Sequence, residues 1–198
     1  MFVYLGGIPG VGKTTVVSGT LDIARAAGFS LVGMEEKKVL CELAGVGSPE
    51  EYRVLPVAVR TRARREMVAC FYAVDCNDPQ VVRMRDDHFV YPQEDGSYLA
   101  RPYELGDKNQ MLAIVVLWAE PKAILGRRLR KYAERPDRPL SDVPRVIEHQ
   151  ALEIATAIRQ ANFLDIPVRI LHNQEGMSEK TSQLVVSFVR EAVALRGG

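Results

Sequence analysis

Only three cysteines occur among the 198 residues. Cys41, Cys70 and Cys76 are odd in number and lack zinc-site spacing, so a disulfide framework and a structural zinc are set aside. Reduced thiols and a cytoplasmic setting are expected. Charge of neither sign dominates. Lys and Arg number 26 against 25 Asp and Glu, for a formal net charge of +1. That balance gives no global attraction to nucleic acid or an anionic membrane, so either partner would need a local patch. Long hydrophobic runs are missing: the longest, "MLAIVVLWA" at 111–119, is far too short for a bilayer span. No basic-then-apolar leader opens the chain, and no repeat or low-complexity tract interrupts it, which excludes solenoids and compositionally disordered tails. What is present is 47% hydrophobic residues, enough for one domain with a sizeable core.

Those residues fall into alternating patterns. "FVYL" (2–5) reads as a short buried strand, and 14–28 has helical spacing at Val16, Leu21, Ile23 and Ala24, ending at Gly28. "SLVG" (30–33) is a second strand, "KKVLCELAG" (37–45) a helix, and Ser48-Pro49 opens another. Along 56–75, Val59, Ala63, Met67, Cys70 and Val74 continue a stripe begun at Leu55, the inner face of a long helix whose other face is arginine-rich. Strands follow at 80–84, 111–118 and 167–171, with helices at 121–132, 143–163 and 178–195. The alternation predicts an α/β domain with a parallel sheet covered on both faces.

Between the first strand and first helix stands "GGIPGVGKTT" (6–15). Gly7, Ile8, Pro9, Gly10, Val11, Gly12, Lys13 and Thr14 match G-x-x-x-x-G-K-[ST] in the context that a phosphate-binding P-loop requires, and Thr15 continues it. Glycines let the backbone turn its N–H groups on an anion, Lys13 would bridge β- and γ-phosphates, and Thr14 would reach Mg²⁺. Asp86 and Asp87 follow a strand at the position of a Mg²⁺-orienting carboxylate; Asp86 is the preferred candidate and Asp87 the alternative. Arg83 and Arg85 in that strand demand a wet cleft or a sheet edge, which leaves its register open. His88, His149 and His172 are scattered rather than at ligand spacing, and His149 reads as a helix contact. No N-K-x-D base-reading motif is present and the chain is short for a large ATPase, which favours a kinase for a small molecule.

The segments "GIPGVGKTT", "AILGRRL" (123–129), "ERPDRPLSDVPRVIEHQ" (134–150) and "VRILHNQEG" (168–176) resemble, in order and spacing, the archaeal-type adenylate kinases. "SPEEYRVLP" (48–56) and "RDDHF" (85–89) echo the same family. The resemblance implies a three-layer P-loop NTPase fold with a central parallel sheet, ATP and Mg²⁺ as cofactors, and phosphoryl transfer from ATP to AMP. It implies one domain over 1–198, with an acceptor-binding insertion at about 35–75 and a lid at 133–142. Lys13, Arg128, Arg135 and Arg138 would then meet the transferring phosphates, with Arg127 beside them, and Arg53 would hold the acceptor phosphate. A lid carrying such arginines would also exclude water, which otherwise competes with the acceptor. The family's lid spaces two arginines two apart, whereas "ERPDR" holds them three apart. Where the family has an Asn-Phe-Gly-Thr-like stretch that receives adenine, this chain reads Glu35-Glu36-Lys37-Lys38.

That difference keeps two alternatives open: a kinase with another small-molecule acceptor, and a P-loop ATPase acting as a nucleotide switch or RNA-associated factor. Arg60, Arg62, Arg64 and Arg65 motivate the second. On a nearly neutral chain such a face reads as solvated, or as a wall for small phosphates, rather than as a nucleic-acid track. Small nucleotides are the expected partners, with no membrane. A homo-oligomer, a trimer, is implied by the resemblance alone.

Overall fold

The structure, a computed structural model, describes residues 1–34, 36–75, 81–93, 95–100, 110–132 and 142–197. Its elements run β1 (Phe2–Gly6), α1 (Lys13–Ala26), β2 (Leu31–Gly33), α2 (Glu36–Ala44), α3 (Pro49–Val54), α4 (Val57–Asp75) and β3 (Val82–Asp86). They continue β4 (Val90–Pro92), β5 (Tyr98–Ala100), β6 (Met111–Trp118), α5 (Pro121–Tyr132), α6 (Val143–Leu164), β7 (Val168–His172) and α7 (Ser178–Gly197).

Five strands form a parallel sheet in the order β2-β3-β1-β6-β7. β1 is wholly buried, and its period of two divides it between two cores. Val3 and Leu5 join Val16 and Ala24 of α1 and Val185, Phe188 and Val189 of α7. Phe2 and Tyr4 join Ala157, Ala161 and Leu164 of α6. The expected three layers are therefore observed. The strand order turns at β1, with β3 on one side and β6 on the other, so a crevice opens beyond its carboxyl end. The P-loop occupies that end.

α1 starts at Gly12 with φ 101° and no side-chain cap, whereas its far end closes on Gly28 with φ 63° and a Phe29 N–H to Ala24 carbonyl bond of 2.9 Å. Ser48 caps α3 by accepting from Glu51 N. Helices α2 to α4 share a small core of Cys41, Tyr52 and Ala63, apart from the two cores on the sheet.

Several sequence expectations are corrected. β3 covers 82–86, where Val82 pairs with Leu31 and Asp86 with Leu5, so it runs two residues past the expected end at 84, while residue 80 of the expected strand lies outside the described residues. It is an interior strand, yet Arg85 is buried within it. Arg85 is held there by an ion pair to Glu36 at 2.9 Å and by the Phe2 ring 4.9 Å from the guanidinium, and it lines a cavity at the end of β3, so of the wet cleft or sheet edge that the sequence demanded the edge is what falls. In α1 the buried stripe is Val16, Thr20 and Ala24, with Leu21 and Ile23 only half-buried. On α4, Ala63 and Met67 are buried as expected, but Cys70 is exposed because the helix extends beyond the small core. The antiparallel hairpin β4–β5 was not anticipated; its strands are three residues each, too short for a clear alternation.

Candidate functional site: a phosphate cradle between two cavities

The loop from Gly7 to Gly12 passes close to two other elements, and only glycine fits at the approaches. A Cβ on Gly12, at φ 101°, would lie 2.4 Å from Asn173 Nδ2, and one on Gly7, at φ 141°, would lie 2.8 Å from the Leu117 carbonyl oxygen. Side chains hold the loop from behind. Asn173 Nδ2 donates to the Val11 carbonyl at 2.8 Å, and Arg127 Nη1 donates to the same oxygen at 2.9 Å while its Nη2 donates to Asn173 O at 3.1 Å. Arg128 Nε donates to the Pro9 carbonyl at 2.9 Å. The negative ends of these peptides are thereby engaged, and the uncapped start of α1 adds partial positive charge for an anion.

Glu153 of α6 ties the loop to the chain after β3. Its Oε1 accepts from Gly7 N at 2.7 Å, and its Oε2 accepts from Phe89 N and Val90 N, both at 2.9 Å. Burial pushes the Glu153 carboxyl up from its ordinary value, opposed by these amides and by Lys13. Lys13 Nζ donates to the Gly7 carbonyl and lies 3.2 Å from His88 Nδ1. The 2.7 Å approach of His88 Nδ1 to that carbonyl makes Nδ1 the protonated nitrogen of a neutral ring, so it donates. Burial, reinforced by the Lys13 charge, pulls His88 down to about 3. Burial likewise lowers Lys13 to about 8, although Glu153, Asp86 and Asp87 favour its charge. Asp86, which ends β3, is raised by burial, with Lys13 and Lys37 acting against the rise. Asp87 accepts from the Tyr91 hydroxyl at 2.5 Å.

Two cavities open here. One, of about 480 Å³, is lined by Pro9, Gly10, Gly12, Lys13, Thr14 and Thr15 and reaches Asp86, Arg128 and Arg130. The other, of about 990 Å³, lies among α2, α3, α4 and the end of β3, and Arg53 lines it. Lys37, Asp86 and Asp87 line both, so the cavities meet at the carboxylates.

The structure thus brings Ile8, Lys13, Thr14, Thr15, Asp86 and Arg128 together with the loop glycines Gly10 and Gly12. Gly7 and Val11 belong to the wall behind the loop, in contact with Glu153, Arg127 and Asn173. Arg53 sits in the other cavity, 3.3 Å from Glu50. Arg135 and Arg138 lie outside the described residues, as do 133–141 of the expected lid. Glu153, Asn173 and His88 were missed as site residues. Glu153 is one turn beyond "EHQ" on the buried face of a long helix, and a lone acid among Leu152, Ile154 and Ala157 was the available signal. His149, as expected, is a structural contact: its Nε2 donates to the Val90 carbonyl at 3.2 Å.

A glycine loop ending a central parallel strand, a lysine and a hydroxyl at the start of α1, and a carboxylate ending the adjacent strand define a P-loop kinase site. No family model matches the chain. It is 31% identical over 189 residues to the adenylate kinase of Pyrococcus horikoshii, with 92% of each chain covered. It is equally similar, 31% over the same span and coverage, to the adenylate kinase of Pyrococcus furiosus. Among solved structures, a shikimate kinase from Bacteroides thetaiotaomicron has a TM-score of 0.53, covering 96% of this chain and 98% of its own at 15% identity, a likeness of fold alone. The chain belongs to the archaeal-type adenylate kinase family, and is a nucleotide kinase. No helix among the described residues is long and apolar enough to cross a membrane.

Proposed function

We propose that this kinase moves the γ-phosphate of Mg·ATP to a nucleoside monophosphate, with AMP as the acceptor. The observation that carries the reading is the meeting of two cavities at Lys37, Asp86 and Asp87. A donor on the P-loop and an acceptor among α2 to α4 would present their phosphates to each other there, and direct transfer needs that proximity.

The donor phosphates fit the cradle that only glycine permits. Lys13 leaves the Gly7 carbonyl to reach the terminal phosphates, and the Gly7 oxygen keeps the His88 Nδ1 proton. Arg128 lies beside the loop as a second cation for the charge that develops in transfer. The oxygen donors Thr14 and Asp86 suit a hard divalent cation, and Mg²⁺ bound there would neutralise phosphate charge. Arg53 holds the acceptor phosphate in the larger cavity. The insertion at 35–75 serves as the acceptor module, and 133–142 serves as the lid that brings Arg135 and Arg138 over the phosphates. An oligomer, a trimer by family resemblance, is read by analytical ultracentrifugation of the same preparation.

The test is incubation with Mg·ATP and, separately, AMP, GMP, CMP and UMP. AMP should give ADP fastest, and Arg53→Ala should raise the AMP KM strongly. Arg135→Ala and Arg138→Ala should depress kcat more than they raise the ATP KM. Slow ATP hydrolysis with no diphosphate formed from any monophosphate would replace this reading with the ATPase alternative.

A further inference from the structure

The acceptor cavity carries more positive charge than one monophosphate requires. Seven basic side chains line it against three acidic ones, Glu36, Asp86 and Asp87. Glu36 is committed to Arg85 at 2.9 Å, and the two aspartates stand at the mouth shared with the donor cavity. An acceptor phosphate must lie at that mouth to be attacked, near Lys37. With Arg53 of α3 assigned to the acceptor phosphate, the remaining cations, Lys38 of α2 and Arg60, Arg64 and Arg65 of α4, line the acceptor cavity only. They surround the portion left for ribose and base. A nucleoside bears no charge there.

Arg60 and Arg64 are one helical turn apart, with the buried Met67 continuing the same face, so α4 directs both toward the cavity. The Tyr52 hydroxyl donates to the Arg60 carbonyl at 3.0 Å and holds that end of α4 against α3. Arg60 Nε is buried with no hydrogen-bond partner among the described residues, and Arg60 lines the cavity. At about 990 Å³ the cavity also stands at the upper end of the size range for small-ligand sites, roughly 300–1,000 Å³.

We infer that Arg60 and Arg64 form a second anion subsite, so that the acceptor site takes nucleoside 5′-phosphates bearing a further phosphate on the ribose, in preference to AMP itself. The inference rests on the acceptor assignment above and narrows its substrate class. In the reaction an oxygen of the 5′-phosphate bonds to the γ-phosphorus, while the bond from that phosphorus to the β–γ bridging oxygen breaks. ADP leaves with the bonding pair. The ribose phosphate is untouched, and the product is a nucleoside 5′-diphosphate that still carries it. A terminal 3′-phosphate and a 3′,5′-phosphodiester both supply the chemistry.

Steady-state kinetics with Mg·ATP and three acceptors test this: AMP, adenosine 3′,5′-bisphosphate, and the 5′-phosphorylated dinucleotide pApA. At low salt the bisphosphate KM should be roughly 10-fold below that of AMP, the gain expected of one or two screened ion contacts. The ratio should shrink in high salt. Arg60→Gln with Arg64→Gln should bring it close to one, and these cavity-wall changes leave the core residues of α4 in place. A low KM for pApA as well identifies the phosphodiester as sufficient; a low KM for the bisphosphate alone identifies the terminal phosphate. A wild-type ratio of one or above overturns the inference even when AMP is an excellent substrate. If no acceptor is turned over, the proposed function fails separately, and calorimetric binding of AMP against the bisphosphate still reads the preference.

Discussion

Glu153 accepts the Gly7 amide at 2.7 Å across 146 residues of chain, and the same carboxylate holds the amides of Phe89 and Val90. One buried side chain therefore fixes the entry to the phosphate loop relative to the segment that follows Asp86, Asp87 and His88. Glu153→Ala would leave three buried donors unsatisfied at about 1–3 kcal/mol each, so a stability loss of about 3 kcal/mol or more is expected in urea unfolding. Glu153→Gln keeps the shape but turns an NH₂ group toward at least one amide. It should recover only part of that loss, and full recovery would remove the carboxylate from the account.

Lys13 gives a pH prediction. Its ammonium, lowered to about 8 by burial, must be charged to meet phosphates, and bound phosphates keep it charged. Free enzyme loses the proton above about pH 8 while the complex retains it, so ATP affinity falls as pH rises, by about tenfold at pH 9. Proton uptake on binding, seen as a buffer-dependent heat in calorimetry at pH 8.5 to 9, checks the sign. Lys13→Arg should flatten the profile because a guanidinium does not titrate there. Lys13→Ala should stay folded and lose turnover by orders of magnitude.

How much of this was legible in the sequence follows from the range of each signal. The strand, loop and helix from Phe2 to Ala26 are encoded locally, in hydrophobic period and glycine spacing, and the structure has them nearly where the sequence puts them. The end of β3 slipped by two residues because Arg83 and Arg85 break the apolar pattern, and the buried arginine is explained by partners distant in sequence, Glu36 and the Phe2 ring. Glu153 and Asn173 act on a loop more than 140 residues away; no periodicity reports such a contact. His88 read as a stray histidine until the fold placed it 2.7 Å from the Gly7 carbonyl.

The two neighbouring aspartates should separate experimentally. Asp87 is engaged by the Tyr91 hydroxyl at 2.5 Å, whereas Asp86 ends β3 beside Lys13. Asp86→Asn should raise the Mg²⁺ concentration needed for half-maximal activity and lower kcat roughly 100-fold, and Asp87→Asn should do less of both. Because burial raises the Asp86 pKa, the wild-type Mg²⁺ requirement should climb as pH falls through that raised value, and this dependence should vanish in Asp86→Asn. Equal losses in the two variants would assign the cation to the pair instead.

Arg127 and Arg128 are adjacent in sequence but hold different parts of the loop, and the same substitution should therefore have different consequences. Arg127 spans three carbonyls, Val11 at 2.9 Å, Gly10 at 3.4 Å and Asn173 at 3.1 Å, and so clamps the phosphate loop to the start of the chain after β7. A lysine ammonium cannot reproduce that planar fork. Arg127→Lys should cost about 2 kcal/mol of stability and raise the ATP KM through a loosened loop, with a smaller change in kcat. Arg128 donates through Nε to the Pro9 carbonyl at 2.9 Å and lines the cavity on the P-loop side. Arg128→Lys keeps a charge near the phosphates and should leave thermal stability close to wild type, while Arg128→Ala should lower kcat by about 100-fold, the loss expected for one transition-state cation. Thermal melts and a KM-against-kcat comparison on the four variants including Arg127→Ala decide the matter. If Arg127→Lys is as stable as wild type and loses kcat alone, Arg127 contacts the reacting phosphates directly and the clamp is not its role.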